Sequence, residues 1–231
     1  MNDVEQIKED TSLPLIIGVT GHRNLREEDL SKLEGLVRQL IQKFENDFPI
    51  SPMTLLSALA EGADRLVAHV ALELGAHLVA PLPMPRELYE EDFDTSASRL
   101  EFDTLLRKAV DWFDLPLVPG ATLESIKVPG ASRDLQYEQS GAYIVRRSHL
   151  LVALWDGEDR DLVGGTSRIV RFHLEGLPER FATVANRIDT PEKGPVYHIV
   201  TPTVSHPKTR DKPFSIRELY PRGHEGDFGV R

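Results

Sequence analysis

Glycine, aspartate and other polar residues follow four of the short apolar runs in this chain. Each run ends in turn residues, as a strand buried in a parallel sheet does. The carboxyl ends of such strands share one rim, where open α/β sheets bind ligands. Structural turns occur on both rims, so the gathering of these residues on one rim favours a binding site. The predicted site residues are Thr20, Gly21, His22 and Arg23; Glu61, Gly62 and Asp64; Pro83 and Tyr89; Trp155, Asp156 and Gly157; and Gly164, Gly165 and Thr166.

The last of these groups has the chemistry of a phosphate site. Residues 164–166 offer consecutive backbone amides and a hydroxyl at the start of a predicted helix, an arrangement that binds phosphate without a lysine. The other interpretation is a flexible turn with Thr166 as the N-cap. After the first strand, Gly21 would let a ligand approach the backbone, and Arg23 offers a forked donor to phosphate. The alternative interpretation is that Arg23 is a solvent-exposed residue in the first turn of a helix.

The remaining polar residues each have a binding and a structural interpretation. Either His22 contacts the ligand, or it packs in the core with its hydrogen-bonding groups satisfied by the protein. Glu61 stands at the turn before a helix, where it could accept a ribose hydroxyl, whereas Asp64 in the first turn suits the helix dipole as a cap. Trp155 stacks on a base or fills the core. The Asp-Gly pair that follows Trp155 contacts a sugar or only forms a turn.

Hydrophobic periodicity places these groups between alternating strands and helices. The predicted strands are 15–20, 54–59, 77–83, 114–118, 149–155 and 196–200, and the predicted helices are about 30–44, 63–74, 98–109, 135–147 and 166–175. Two helix caps are predicted, from Asn24 with Glu27 and from Ser98 with Glu101. Residues 120–134 are rich in Gly, Pro, Ser and Thr and are predicted to be a mobile loop. The alternation implies right-handed βαβ crossovers and a three-layer α/β fold with a mainly parallel sheet.

Composition limits the classes of function. The chain has 231 residues, no cysteine and a formal net charge of −10, which disfavours binding to nucleic acid and to anionic membranes. No segment has the order of a signal peptide or the length of a membrane span, so a cytoplasmic protein is expected. The predicted domains are an N-terminal extension over 1–12, a ligand-binding domain over 13–201, and a tail or linker over 202–231.

Four segments in this order resemble the SLOG superfamily, a Rossmann-like group that includes the Lonely-guy phosphoribohydrolases, the DNA-processing SMF proteins, and ligand-sensing domains of bacterial immune effectors and TRPM channels. The likeness spans about residues 13–201. The segments are Thr-Gly-His-Arg at 20–23, Leu-Ala-Glu-Gly-Ala-Asp-Arg at 59–65, the 83–93 stretch, and Ala-Leu-Trp-Asp-Gly at 153–157 with Gly-Gly-Thr at 164–166. The resemblance implies a Rossmann-like fold and a cleft for nucleotide derivatives, including NAD-derived signalling molecules.

The resemblance also bears on catalysis. The hydrolase branch carries a glutamate three residues after the Gly-Gly-x-Gly-Thr threonine, where this chain has Ile169. An aliphatic side chain cannot replace a carboxylate acid or base. The expected function is therefore a sensor that binds a nucleotide-derived ligand, without metal or cofactor, as a homo-oligomer coupled to a partner or fused effector. The alternatives are a hydrolase of N-glycosidic or phosphoribosyl bonds using Glu61 or Asp156, and a DNA-binding relative of the SMF proteins, which the net charge disfavours.

Overall fold

A computed structural model describes residues 12–160, 162–181 and 194–221 as helices on both faces of one seven-stranded sheet. The N-terminal extension predicted over residues 1–12 lies outside these residues except for Ser12. The order of the strands is β4-β3-β2-β1-β5-β6-β7, and all neighbours are parallel except β6 and β7. The strands are β1 (Leu15–Gly21), β2 (Met53–Leu56), β3 (His77–Leu82), β4 (Asp111–Asp114), β5 (Leu150–Trp155), β6 (Val196–Val200) and β7 (Ile216–Leu219).

The helices connect the parallel strands as crossovers, as the alternating sequence pattern predicts. They are α1 (Leu30–Asp47), α2 (Ala63–Glu73), α3 (Arg86–Glu90), α4 (Ser96–Lys108), α5 (Leu123–Ile126), α6 (Ala131–Arg147) and α7 (Thr166–Glu175), with short 3₁₀ helices at Glu27–Asp29 and Glu179–Phe181. No helix of the described part of the chain is long and apolar enough to cross a membrane.

The centre of the sheet is buried on both faces, and β5 shows this residue by residue. Its Leu150, Val152 and Leu154 belong to the large core, which also contains the apolar faces of α1, α2 and α4. The alternate residues Leu151 and Ala153 belong to a second core beneath α6 and α7. Alternation of side chains along a strand explains this division. The fold is a three-layer, Rossmann-like α/β sandwich, which confirms the fold class predicted from the sequence.

Several local predictions differ from the structure at the ends of elements. β2 ends at Leu56 because the chain turns sharply there, with Leu59 at a φ of 58° and its N–H donating to Ser57 Oγ. The fourth strand lies at Asp111–Asp114 rather than at 114–118, in register with β3. The fourth helix begins at Ser96 with Thr95 as its N-cap, so Ser98 is not the cap.

Asn24 does not cap a helix with Glu27. Its side-chain amide donates to Ser205 Oγ at 2.8 Å, and the N-cap position of the 3₁₀ helix is held by Arg26, whose side chain makes no capping hydrogen bond. The predicted loop 120–134 also contains regular structure. It holds α5, which begins with a capping box on Thr122, and the first turn of α6.

The segment after Thr201 is not simply an unstructured tail. Residues 216–219 form β7, which pairs antiparallel with β6, and Leu25 forms a β-bridge with Thr203. The sequence signal was weak because Pro, Gly and charged residues surround a strand of only four residues. The boundary of the ligand-binding domain at residue 201 stays a prediction.

Candidate functional site

The order of the strands creates a crevice between the carboxyl ends of β1 and β5. The chain runs from β1 outward to β4 on one side and then returns to place β5 on the other side of β1. Such a switch point is where open α/β sheets bind ligands. A cavity of about 220 Å³ lies here, lined by Gly21, His22, Arg23, Trp155, Glu158, Arg160, Leu162, Gly164, Gly165, Thr166 and Ser167. Seven of the predicted site residues therefore line one cavity.

Gly21 and Gly62 bring the two loops at this rim together. A Cβ at Gly21 would clash with the Ala63 side chain and come within 2.7 Å of the Leu154 carbonyl oxygen. Gly62 has a φ of +77°, and a Cβ there would clash with the carbonyl oxygens of His22 and Arg23. Both glycines allow close backbone packing between β1 and α2, a role that the sequence did not distinguish from access for a ligand.

His22 and Arg160, which line the cavity, form a polar cluster with the buried Asp156. Asp156 is fully buried, and its Oδ2 lies 2.8 Å from the Arg160 guanidinium. Its Oδ1 accepts from the Glu158 N–H at 3.0 Å. The pKa of Asp156 is lowered: burial alone would raise it, but Arg160, the Glu158 N–H and His22 together stabilise the carboxylate more strongly. Asp156 is therefore ionised at neutral pH and cannot serve there as a general acid.

Burial also lowers the pKa of His22, so its ring is neutral at pH 7. The Asp156 backbone N–H donates to Nε2 at 3.3 Å, which places the ring hydrogen on Nδ1. A protonated ring would instead donate from Nε2 to Asp156 Oδ1, also 3.3 Å away. The backbone of His22 joins the neighbouring elements, because its N–H donates to Leu154 and its carbonyl accepts from Ala63.

Arg23 extends from the loop after β1 towards α3 and α6. Its side chain is 43% exposed, and Nη1 lies 3.7 Å from Asp92 Oδ2. The guanidinium also lies 5.3 Å from the centre of the Tyr137 ring. Arg23 lines the cavity, so a cation is available to a ligand there without being fully exposed to solvent.

The glycine-containing loop before α7 is ordered by packing on α6. Gly164 has a φ of +69°, and a Cβ there would lie 3.0 Å from Tyr137 Cβ. The Gly165 N–H donates to the Leu162 carbonyl at 2.9 Å, so it is not the bare amide that the sequence suggested. Thr166 and Ser167 begin α7, and their first-turn amides have no acceptor within the helix. The backbone N–H groups available to an anion at this helix start are therefore those of residues 166 and 167 rather than that of Gly165.

Glu61 and Asp64 lie beside this cavity rather than in its lining. Glu61 Oε1 accepts a hydrogen bond from Ser98 of α4. Asp64 is buried in the first turn of α2, and burial raises its pKa to about 7 although Arg23 acts in the opposite direction. It accepts from Ser57 Oγ at 3.5 Å. Asp64 is thus a buried, proton-binding carboxyl group of the first turn, and the N-cap position is held by Gly62 instead.

Pro83 and Tyr89 also lie outside the lining, in the core after β3. Tyr89 is 1% exposed, and its ring packs edge-on against Phe93 and Phe102. Burial raises the pKa of its hydroxyl, so it stays protonated at any physiological pH. Pro83 is buried at the exit of β3. The structure gives both residues a packing role.

Trp155 forms one wall of the cavity, and its indole N–H already has a partner within the protein. Its Nε1 donates to the Glu158 carbonyl at 3.1 Å, and its ring lies 5.1 Å from that of His198. Its remaining ring surface could contact a ligand, whereas its N–H is already used. Gly157 has a φ of +87° at the turn that brings Glu158 back over Asp156.

Sequence reasoning missed Arg160, Ser167 and Asp92. Arg160 follows Asp156 by four residues, a spacing that allows an ion pair and was available as a signal. Asp92 lay in a recognised segment, but its contacts come from α6 and the β1 loop, which local sequence does not reveal.

A second cavity, of about 390 Å³, lies between α6 and α7 and is lined by Glu138, Arg168, Arg180 and their neighbours. In the described ranges, no cluster of three His, Asp or Glu side chains is arranged to hold a metal.

Comparison with known proteins finds similarity in structure but not in sequence. No family model and no curated protein matches the sequence. Among solved structures, the chain is similar to DNA processing protein A (DprA) from Streptococcus pneumoniae, with 16% sequence identity and a TM-score of 0.38. The alignment covers 61% of this chain and 41% of that protein.

Proposed function

We propose that this chain is a cytoplasmic sensor domain of the SLOG type. It binds a nucleotide-derived ligand, of the NAD or ADP-ribose class, between the carboxyl ends of β1 and β5. It passes the binding event to a partner or fused effector in bacterial signalling or defence. The observation that carries the proposal is that the segments after β1 and β5, distant in sequence, line the same cavity at the switch point of the sheet.

The charges in the cavity support a phosphate-bearing ligand. Arg23 and Arg160 bring two guanidinium groups to its lining, and the first-turn amides of α7 open onto it. Local donors of this kind can hold phosphate in a chain whose net charge is −10. Trp155 adds an aromatic surface that suits a base or a ribose.

The test is calorimetric titration with NAD, ADP-ribose and nucleoside monophosphates. The informative variant is Arg23→Gln, because Asp92 retains Arg133 and Tyr137 as partners when Arg23 is lost. Loss of a charged hydrogen bond to phosphate should weaken binding roughly tenfold or more while the melting temperature stays close to that of the wild type.

The matched control is Arg38→Gln, which removes the same charge from an exposed pair with Glu73 on α1 and α2, away from the cavity. It should leave affinity unchanged. Absence of binding to every compound would contradict the proposal, as would equal affinities of the wild type and Arg23→Gln. Mass spectrometry of compounds retained through purification would identify the ligand directly.

A phosphoribohydrolase of the Lonely-guy type is the second candidate, and Asp64 is the observation that favours it. A carboxyl group with a pKa of about 7 beside Arg23 suits a general acid at neutral pH. Against it, Asp64 does not line the cavity, and Ile169 is buried against Gly141 of α6. Release of ribose 5-phosphate from nucleoside monophosphates, abolished in Asp64→Asn, would establish this activity in place of simple binding.

A further inference from the structure

Asp92, at the end of the segment that contains α3, is held by two residues of α6. Its Oδ1 accepts from Arg133 Nη2 at 2.7 Å, and its Oδ2 accepts from the Tyr137 hydroxyl. Arg133 is buried and also donates to the carbonyl of Leu88. These bonds fix the carboxylate independently of any third partner.

Arg23 is the third partner, and it is held least tightly. Its Nη1 lies 3.7 Å from Asp92 Oδ2, beyond hydrogen-bond distance, and its side chain is nearly half exposed. Tyr137 is its other neighbour: the ring lies 5.3 Å from the guanidinium, and the Tyr137 hydroxyl is a side-chain hydrogen-bond partner of Arg23. Arg23 could therefore leave Asp92 without stranding a buried charge, because Arg133 and Tyr137 still satisfy the carboxylate.

We propose that Asp92 is an internal competitor for Arg23, and that an anionic ligand in the cavity takes Arg23 from it. This inference rests on the proposed function and adds the means by which the site responds to its ligand. Before binding, the positive charge of Arg23 is partly compensated by Asp92. After binding, the ligand's phosphate is its counter-ion.

The exchange has a structural consequence outside the cavity. The Arg23–Asp92 contact joins the loop after β1 to the segment that follows α3, so its loss frees one side of that segment. Arg133 keeps the other side attached to α6. The surface around α3 is therefore the part of the molecule where a partner could distinguish the ligand-bound from the ligand-free protein.

Two substitutions next to Arg23 should change affinity in opposite directions. Asp92→Asn removes the competing charge but can still accept from Arg133, so affinity should rise about two- to fivefold, the range for a partly exposed ion pair. Tyr137→Phe keeps the ring but removes the hydroxyl that bonds both Asp92 Oδ2 and Arg23, so these two groups pair more strongly with each other and affinity should fall by a similar factor. General loss of folding would lower affinity in both variants, and a simple charge effect would leave Tyr137→Phe unchanged.

The measurement is calorimetry with whichever of NAD, ADP-ribose and AMP binds the wild type most tightly, at constant salt. Asp103→Asn is the charge control, because Asp103 pairs with Arg86 and Arg107 and has no contact with Arg23 among the described residues. It should bind like the wild type. Hydrogen exchange at 86–92 should increase when the same compound binds.

The outcomes separate this inference from the proposed function. If the wild type binds none of these compounds, the proposed function fails and the inference fails with it. If the wild type binds but Asp92→Asn does not bind more tightly, or Tyr137→Phe does not bind more weakly, the competitor role is wrong while the ligand site stands. Opposite shifts in the two variants support the inference.

Discussion

Buried polar side chains at the carboxyl rim differ in their protonation, and Asp64 is the clearest case. Burial raises its pKa to about 7, whereas Asp156, after β5, has a lowered pKa because Arg160, the Glu158 N–H and His22 together outweigh the effect of its burial. Two carboxyl groups of the same type thus have pKa values shifted in opposite directions, Asp64 by burial and Asp156 by its charged and hydrogen-bonding partners. Perturbed groups of this kind are typical of functional sites, although structural ion pairs produce them too.

Asp64 should make the protein less stable as the pH rises from about 4 to about 7. The folded state favours the protonated carboxyl, so its stabilising contribution is complete below the ordinary pKa of aspartate and is lost as the pH approaches 7. The free energy of unfolding of the wild type, measured against that of Asp64→Asn by urea titration, should fall by up to about 4 kcal/mol over this range. A difference that does not change with pH would show that Asp64 is ionised in the folded protein.

At the scale of elements, α6 holds both walls of the cavity. Tyr137 of α6 contacts the Arg23–Asp92 pair on one side of the cavity. Gly164, in the loop before α7 on the other side, also packs on Tyr137. The next residue, Glu138, is fully buried and accepts from Arg168 of α7 and from Arg180. A displacement of α6 would therefore move residues on both sides of the candidate site.

Arg133 is the side chain through which α6 holds α3 and α5. Its Nη1 donates to the Ile126 carbonyl at 2.5 Å, and its Nη2 to the Leu88 carbonyl at 3.0 Å and to Asp92. Arg133→Ala removes the donor to the Ile126 and Leu88 carbonyls and leaves Asp92 with Tyr137 and Arg23 alone, so it should reduce the free energy of unfolding by about 3 kcal/mol. Hydrogen exchange at Leu123–Ile126 and Arg86–Glu90 should accelerate.

The control for this prediction is Arg147→Ala, at the exposed end of the same helix, which should change stability by less than about 0.5 kcal/mol. Unaltered exchange in α3 and α5 in the Arg133 variant would contradict the anchoring role. That result would favour the prediction that residues 120–134 are mobile, even though they contain helical structure.

At the scale of the whole molecule, residues beyond 201 complete the sheet. All five residues of β6 are buried, and β7 covers its outer edge. The connection between these strands contacts the β1 loop through Ser205 and Thr203, close to the cavity. Self-association, an effector partner and the absence of nucleic-acid binding stay predictions.

Truncation after Pro202 should therefore destabilise the domain rather than remove a free linker. Loss of β7 exposes the edge of a strand that is buried in the intact chain, and the melting temperature should fall by roughly 10 °C or more. Circular dichroism provides the measurement. Asn24→Ala is the control for the contact with Ser205 alone, and it should lower the melting temperature by only a few degrees. A truncated protein that melts like the full chain would restore the linker interpretation.

The sequence by itself determined the fold class and the rim on which the candidate site lies. Strand and helix periods are local properties of the chain, and the carboxyl ends of parallel strands must share one edge. This is why the segments 20–23 and 164–166, assigned from composition and spacing, line one cavity in the structure.

The tertiary structure decided which polar residues face that cavity and which serve packing. Gly62, Pro83 and Tyr89 carry the same sequence signal as the lining residues, but close backbone contact and aromatic packing place them elsewhere. The pairing of Asp92 with Arg23 depends on how α6 packs across the sheet. The strand β7 depends on the open edge of β6. Contacts between residues distant in sequence follow from packing of the whole core, and no local pattern encodes them.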